Sequence, residues 1–196
     1  MGDKKLRRRN EVPVEFKWKL EDMFESDKKW QTEAELVSDM TEEVAQYQDR
    51  LAENEKILLE FFDRLDELDY HLQRVYVYAN QRHHEDTANA IYQGYSSKAA
   101  MLANMAAQAT SFVEPEVLSI DDKKLEEFFS KEPKLEKYRR KIEEILRAKE
   151  HTLSSAEENI LAATGEMAQI PKNVFDMFNN ADLKFPYYTD VEGNRI

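Results

Sequence analysis

The fold is decided by residues 57–79, which read ILLEFFDRLDELDYHLQRVYVYA. Apolar side chains recur there at intervals of three and four residues, which is the spacing of one face of an α-helix. They are Ile57, Leu58, Phe61, Leu65, Leu68, Leu72, Val75, Tyr76 and Ala79. Glu60, Asp63, Arg64 and Glu67 fall on the other face, where water can solvate their charges. The stretch therefore predicts a long amphipathic helix with one side in a hydrophobic core.

Two neighbouring stretches repeat this pattern and predict two more long helices. The first has a cap at Ser26 or Asp27 and the apolar positions Trp30, Ala34, Val37, Met40, Val44, Tyr47 and Leu51. The third follows a break at residues 81–87 and has Ala88, Ile91, Tyr92, Tyr95, Ala99, Leu102, Met105 and Ala109. Three long antiparallel helices are the economical arrangement. The third is rich in alanine and can approach its neighbours closely, so we expect it to be the most buried.

Prolines and capping residues predict shorter helices between residues 115 and 182. The positions that begin or interrupt these helices are Pro115, Ser119 or Asp121, Pro133, Ser154 with Glu157 in capping-box spacing, and Pro171. Their short spacing predicts a series of brief helices in place of a fourth long one.

Residues 183–196 change character and predict a β-hairpin that is incomplete at Ile196. Leu183 to Tyr188 read as a strand, and Glu192–Asn194 carry a turn signal. A polar tail that only resembles a strand is the alternative. An unfinished hairpin has an unpaired edge, so we expect the chain to be part of a longer one. The predicted fold class is all-α, an antiparallel helical bundle followed by shorter helices, with an incomplete β-hairpin at the C-terminus.

Composition excludes several classes of partner. The net charge is −12, which argues against nonspecific nucleic-acid binding because phosphates need a basic surface. The basic cluster from Lys4 to Arg9 is expected to be a solvated terminus. There is no cysteine, so disulfides and thiolate metal sites are excluded. No apolar run approaches the roughly 20 residues of a membrane span, and no secretion signal is recognisable. We therefore expect a soluble, cytoplasmic protein without membrane or nucleic-acid partners.

The histidines do not form a recognisable metal site. His84-Glu85 begins like the zinc motif His-Glu-x-x-His, but position 88 is alanine. Glu-x-x-His pairs of diiron bundles are absent too, because the residues three before the histidines are Leu68, Asn80, Gln81 and Ala148. We expect His83 and His84 at a helix connection and His71 in a surface or interhelix hydrogen bond. No catalytic, cofactor-binding or metal-binding residue is predicted in this chain.

Five segments, in this order along the chain, resemble oligoendopeptidase F, a branch of the thimet-oligopeptidase-like zinc metallopeptidases. They are Arg9–Pro13 with Trp18–Phe24; Tyr78–Arg82 with Glu85–Asn89; Phe112–Glu116; His151–Ser154; and Phe178–Pro186. The resemblance extends over nearly the whole chain.

The resemblance implies a mostly α-helical, two-lobed peptidase with a deep channel that admits oligopeptides. Zinc ligands and catalytic residues would lie in a catalytic lobe beyond Ile196, so none is assigned here and this segment alone is predicted to be inactive. Residues 1–114 would be the N-terminal long-helix bundle, residues 115–182 a short-helix segment leading toward the catalytic lobe, and residues 183–196 the start of a hairpin of the catalytic region. The implied partners are the remainder of the peptidase and oligopeptide substrates. The implied cofactor is zinc, in the parent enzyme only.

Two functions compete at this point. One is the N-terminal non-catalytic region of a zinc metalloendopeptidase, forming part of the substrate-channel wall. The alternative is a stand-alone helical protein-interaction module. The first predicts a large apolar surface left uncovered on the isolated segment, whereas a stand-alone module should hide its core. A four-helix cofactor bundle is disfavoured because Glu-x-x-His spacing is missing.

Overall fold

The computed structural model describes residues 11–151, 153–184, 186 and 188–193. Three long helices dominate it: α1 (Asp27–Ala45), α2 (Glu55–Glu85) and α3 (Ala90–Ala109). Five shorter ones follow: α4 (Val113–Ser119), α5 (Asp122–Lys131), α6 (Arg139–Arg147), α7 (Ser155–Ala163) and α8 (Gly165–Met177). Short 3₁₀ segments cover Val14–Phe16, Leu20–Asp22, Pro133–Tyr138 and Lys149–His151, and a π-helix covers Phe178–Asp182. The all-α prediction is confirmed.

Helix α2 is the centre of the packing. It contributes eight buried residues, and both α1 and α3 lie against it. Near one end of the long helices, Trp30 of α1 contacts Val75 of α2 and Tyr95 of α3. Near the other end, Phe61 of α2 contacts Tyr47 and Phe112. One hydrophobic core extends from Leu20 to Ile142.

The predicted caps that begin α1, α5 and α7 are present. Ser26 accepts the N–H of Lys29, and Asp121 accepts the N–H of Lys123. Ser154 and Glu157 bond reciprocally as a capping box. Each cap satisfies a backbone donor that has no partner within its helix.

Three local predictions are wrong, two of them about proline. Helix α4 was not predicted, because Pro115 was taken to interrupt the chain. The helix accommodates Pro115 in its first turn, where no backbone donor is needed. Pro171 does not restart the chain but lies inside α8, where Met167 is exposed and water can reach the carbonyl left without a donor. The predicted break at residues 81–87 is shorter, because α2 continues to Glu85.

Helix α3 is not the most buried, contrary to expectation. Only Ala99, Leu102 and Ala106 are buried in it, while Ile91 and Met105 are exposed. Its small side chains do allow close approach, but its outer side contacts α7 and α8, in which every residue of described burial is at least partly exposed. Within α2, Tyr78 and not Tyr76 points into the core, because Tyr78 lies one turn from the buried Val75.

The C-terminal hairpin stays a prediction. Among the described residues after Leu183 there is no strand, and Thr189 occupies a single bridge position. The N–H of Gly193 donates to the carbonyl of Asp190, and Gly193 has the left-handed φ of 86° that suits glycine in a turn. Phe185, Tyr187 and residues 194–196 lie outside the described part. No described helix has the length and apolar content needed to cross a membrane.

Candidate functional site

The described histidines do not belong to a cluster of side chains that could bind a metal ion. Within the described residues, no group of three or more His, Asp or Glu side chains could hold a metal ion. His71 Nδ1 lies 2.7 Å from Glu33 Oε1 on α1, which is the interhelix hydrogen bond expected of it. Arg74 donates to the same carboxylate and to the carbonyl of Met23.

His83 and His84 lie in the last turn of α2 and not in a connection. Nδ1 of His83 is buried without a hydrogen-bond partner. Burial, and secondly the proximity of His84, lower the pKa of His83 below its ordinary value, while Asp176 on α8 opposes the shift. Burial at this position therefore disfavours the charged form of the His83 ring.

Arg82, in the segment Tyr78–Arg82, connects the end of α2 to the N-terminal part of the chain through hydrogen bonds. Its guanidinium donates to Tyr78, Glu85 and, at 2.7 Å, to Glu21 in the 3₁₀ segment Leu20–Asp22. Burial lowers the pKa of Arg82, but the hydrogen bonds that Arg82 donates to Tyr78 and Glu21 outweigh it and raise the pKa above its ordinary value. Arg82 thereby fixes the N-terminal segment to the end of α2.

The segment Phe112–Glu116 fixes the connection between α1 and α2. The Glu116 carboxylate accepts the backbone N–H of Asp49 and that of Leu51, the second at 3.3 Å. Asp49 has a left-handed φ of 65°, a conformation that aspartate tolerates better than most residues. Phe112 and Val113 are buried beside them. Glu116 and these buried residues thus hold the connection between α1 and α2 in place.

The link between α2 and α3 meets the C-terminal π-helix. Asp86 accepts the N–H of Ala88, and Asn89 caps α3 by accepting the N–H groups of Ile91 and Tyr92. Thr87 donates its hydroxyl to the carbonyl of Asn180 at 3.2 Å. Two segments that resemble the same family are therefore in contact, although 93 residues separate the two positions.

A cleft of about 850 Å³ lies between the C-terminal halves of α1 and α3 and the start of α7. Its lining includes the apolar side chains of Ala45, Met105 and Phe112 and the amide side chains of Gln48 and Gln108. Glu42 is the one charged residue in its lining.

The most distinctive surface is the apolar surface of α7 and α8. None of the residues of these two helices whose burial the structure describes is buried in the core. Large apolar side chains of these helices, and of the first residue of the π-helix that follows, are instead exposed, namely Ile160, Leu161, Met167, Ile170, Val174, Phe175 and Phe178. Monomeric soluble proteins rarely expose large apolar patches unless another surface covers them. We call this set the α7–α8 surface.

Comparison with known proteins places this architecture in a class. A family model described as Oligopeptidase F matches residues 116–185. Oligopeptidase PepF of Bacillus subtilis is 39% identical over 186 residues, which are 95% of this chain and 28% of that protein. The plasmid-encoded oligoendopeptidase F of Lactococcus lactis subsp. cremoris is 32% identical over 91% of this chain and 30% of its own length. The class that these matches define is the F-type oligopeptidases.

Within that class, the chain corresponds to the N-terminal region of oligoendopeptidase F, as the sequence resemblance predicted. The crystal structure of oligoendopeptidase-F from Enterococcus faecium superposes with a TM-score of 0.80 at 29% identity. The superposition covers 87% of this chain and 33% of that one. This chain thus spans about a third or less of the length of these relatives.

Sequence reasoning missed the α7–α8 surface as a particular place, although it expected an uncovered apolar surface somewhere. A signal was available in the apolar spacing of Met167, Ile170, Val174 and Phe178. Pro171 concealed it, because this proline was taken to restart the chain and so to divide the row between two segments.

Proposed function

We propose that this chain is the N-terminal non-catalytic region of a zinc metalloendopeptidase that hydrolyses oligopeptides, and that it forms part of the substrate-channel wall. The observation that carries the proposal is the exposed α7–α8 surface, which a self-contained protein would cover. The relatives are about three times longer, so the rest of such a peptidase has ample chain to cover it.

The proposal assigns a structural role to each part of the chain. Residues 1–114 form the long-helix bundle, in which neighbouring helices run antiparallel. The contacts Trp30–Val75 and Tyr47–Phe61 support this, since the start of α1 meets the end of α2 and the end of α1 meets its start. Residues 115–182 lead toward the catalytic lobe, although the core continues from the bundle to Ile142. Residues 183–196 begin a hairpin of the catalytic region.

Zinc belongs to the catalytic lobe in this proposal. The described residues of this chain do not fit a zinc site, since they bring no three ligand side chains together. Their contribution would be steric, because a wall of helices admits only unfolded peptides and its closure excludes water from the site. The net charge of −12 favours oligopeptides that carry positive charge. The proposed location is the cytoplasm.

A chimera tests this function directly. The matching region of the Bacillus subtilis relative is replaced by this chain, and hydrolysis of a fluorogenic oligopeptide is measured with and without a zinc chelator. We expect the chimera to be folded and to have chelator-sensitive activity, and the isolated 196-residue chain to have none. A folded but inactive chimera, or chelator-sensitive hydrolysis by the isolated chain, would contradict the proposal.

The second candidate is a stand-alone helical interaction module, which the cleft between α1, α3 and α7 favours. Such a module should remain a monomer or a defined oligomer and should not bind a hydrophobic dye. The peptidase region should bind the dye through the α7–α8 surface. Dye fluorescence and sedimentation of the isolated chain separate the two candidates.

A further inference from the structure

The cleft between α1, α3 and α7 has the size of a ligand-binding site. Helices α1 and α7 both pack against α3, and the cleft of about 850 Å³ lies among the three. Pockets for small ligands commonly measure about 300–1,000 Å³. Ala45, Met105 and Ile160 contribute an apolar lining side chain from each helix in turn. The amide of Asn159 in α7 donates to the hydroxyl of Ser111 at 3.5 Å, which connects α7 to the chain just after α3.

The polar lining of the cleft is rich in side-chain amides. Gln48, Gln108 and Asn159 each offer a donor and an acceptor, and Ser111 and Ser155 add hydroxyls. The side chains of Gln48 and Gln108 make no hydrogen bond within the described part of the chain, so both can bind a ligand. A purely apolar ligand would take water from these groups and leave them without partners. A peptide is complementary to them, because each of its bonds also presents a donor and an acceptor.

Glu42 determines the sign of the charge that the cleft accepts. No lysine, arginine or histidine lines the cleft, and the Glu42 carboxylate has no ion-pair partner among the described residues. The first turn of α7, which also borders the cleft, carries the carboxylates of Glu157 and Glu158. A phosphate or carboxylate ligand would therefore find no counter-charge. A lysine or arginine side chain would find one at Glu42.

We propose that this cleft binds a short extended oligopeptide, with a lysine or arginine side chain of the peptide at Glu42 and its peptide bonds at Gln48 and Gln108. The inference rests on the proposed function, because it names the part of the proposed channel wall that contacts the oligopeptide and the charge that this part prefers. The contact contributes to binding alone. Its loss should therefore raise KM and leave kcat unchanged.

The experiment compares Glu42→Gln with Glu35→Gln, which removes the same charge from α1 about two turns away and outside the cleft lining. The isolated chain is titrated, under NMR observation, with a blocked tetrapeptide that contains one lysine and with its glutamine counterpart. The lysine peptide should shift the side-chain amide signals of Gln48 and Gln108. It should bind about threefold more tightly than the glutamine peptide, the size expected of one partly exposed ion pair. Glu42→Gln should abolish this preference, and Glu35→Gln should retain it.

The same substitutions in the chimera with the Bacillus subtilis relative connect the cleft to hydrolysis. Glu42→Gln should raise KM for a lysine-containing fluorogenic peptide about threefold at unchanged kcat, and should leave KM for the glutamine peptide as it was. An active chimera in which the two variants behave alike, or an isolated chain that binds neither peptide or both equally, would overturn the inference and leave the proposed function standing. An inactive chimera without substitutions, together with lysine-selective binding to the isolated chain, would count against the proposed function alone.

Discussion

The indole nitrogen of Trp30 in α1 donates a hydrogen bond of 2.9 Å to the main-chain oxygen of Val75 in α2. The Trp30 ring also stacks on Tyr95 of α3, with ring centroids 4.2 Å apart. Trp30 and Val75 are fully buried. A single side chain thus joins the three long helices at one level, where a polar group would be costly to bury without a partner.

Replacing Trp30 by phenylalanine should destabilise the fold by about 1–3 kcal/mol, because the hydrogen bond is lost and the smaller ring leaves space in the core. Urea unfolding followed by circular dichroism measures the change. The matched control is Trp18→Phe, since Trp18 is 81% exposed and its replacement should cost no more than about 0.5 kcal/mol. Equal losses at the two positions would refute the role of Trp30.

Leu102→Ala should cost about 2–5 kcal/mol, because Leu102 is one of three buried residues of α3 and its truncation leaves a cavity between α3 and its neighbours. Leu161→Ala makes the same chemical change in α7, where the side chain is exposed. The free energies of unfolding of the two variants are compared in urea. A cost for Leu102→Ala within the range of its control would mean that α3 does not pack as described.

Arg82→Lys should destabilise the chain by about 1–3 kcal/mol despite keeping the charge. A lysine ammonium cannot reproduce the planar donors that reach Glu21, Glu85 and Tyr78 together. Hydrogen exchange of residues 19–24 should quicken, because Glu21 loses its anchor on α2. Arg50→Lys is the control, since Arg50 has one ion-pair partner, Glu53, near the surface. Unchanged exchange in the Arg82 variant would contradict this account.

Acidification should destabilise the protein through His83. Burial, followed by the charge of His84, lowers the pKa of His83 in the folded state. Below pH 6.5 the unfolded chain therefore binds more protons than the folded one at this position, so stability falls as pH drops through 6.5 toward the folded pKa. The contribution is fully present above pH 6.5. Asp176 faces His83 from α8 and reduces the effect.

The measurement for His83 is Tm between pH 5 and 8 for the parent and for His83→Gln. We expect the glutamine variant to lose less stability than the parent on acidification from pH 7.5 to 5.5. His71→Gln does not serve as a control, because His71 is hydrogen-bonded to Glu33. His151 is exposed, and His151→Gln is the suitable comparison. Parallel pH profiles for the parent and His83→Gln would contradict the prediction.

Features that depend on a few adjacent residues were predictable from sequence. The caps at Ser26, Asp121 and Ser154 were found because a cap is a local exchange between a side chain and a nearby N–H. The long helices were found because their apolar period persists over several turns. Proline was the exception, since its effect depends on its position within a turn, as Pro115 and Pro171 show.

Features that depend on distant residues were not predictable. Glu116 bonds to Asp49, 67 residues away, and Arg82 bonds to Glu21, 61 residues away. No local pattern distinguishes these charged residues from the many that only face water. The prediction that α3 is the most buried helix failed for the same reason. Its alanine content permits close packing but does not determine how many helices pack against it. The family resemblance identified these segments without explaining them.

The exposure of the α7–α8 surface affects how tolerance to mutation should be measured in this protein. A deep mutational scan that selects for folding of these 196 residues alone should score Met167, Ile170, Val174 and Phe178 as freely replaceable, because their side chains are exposed. Under the proposed function, the same replacements in the longer peptidase should be selected against. Solubility engineering of the short chain would then remove the residues that the proposed longer polypeptide needs.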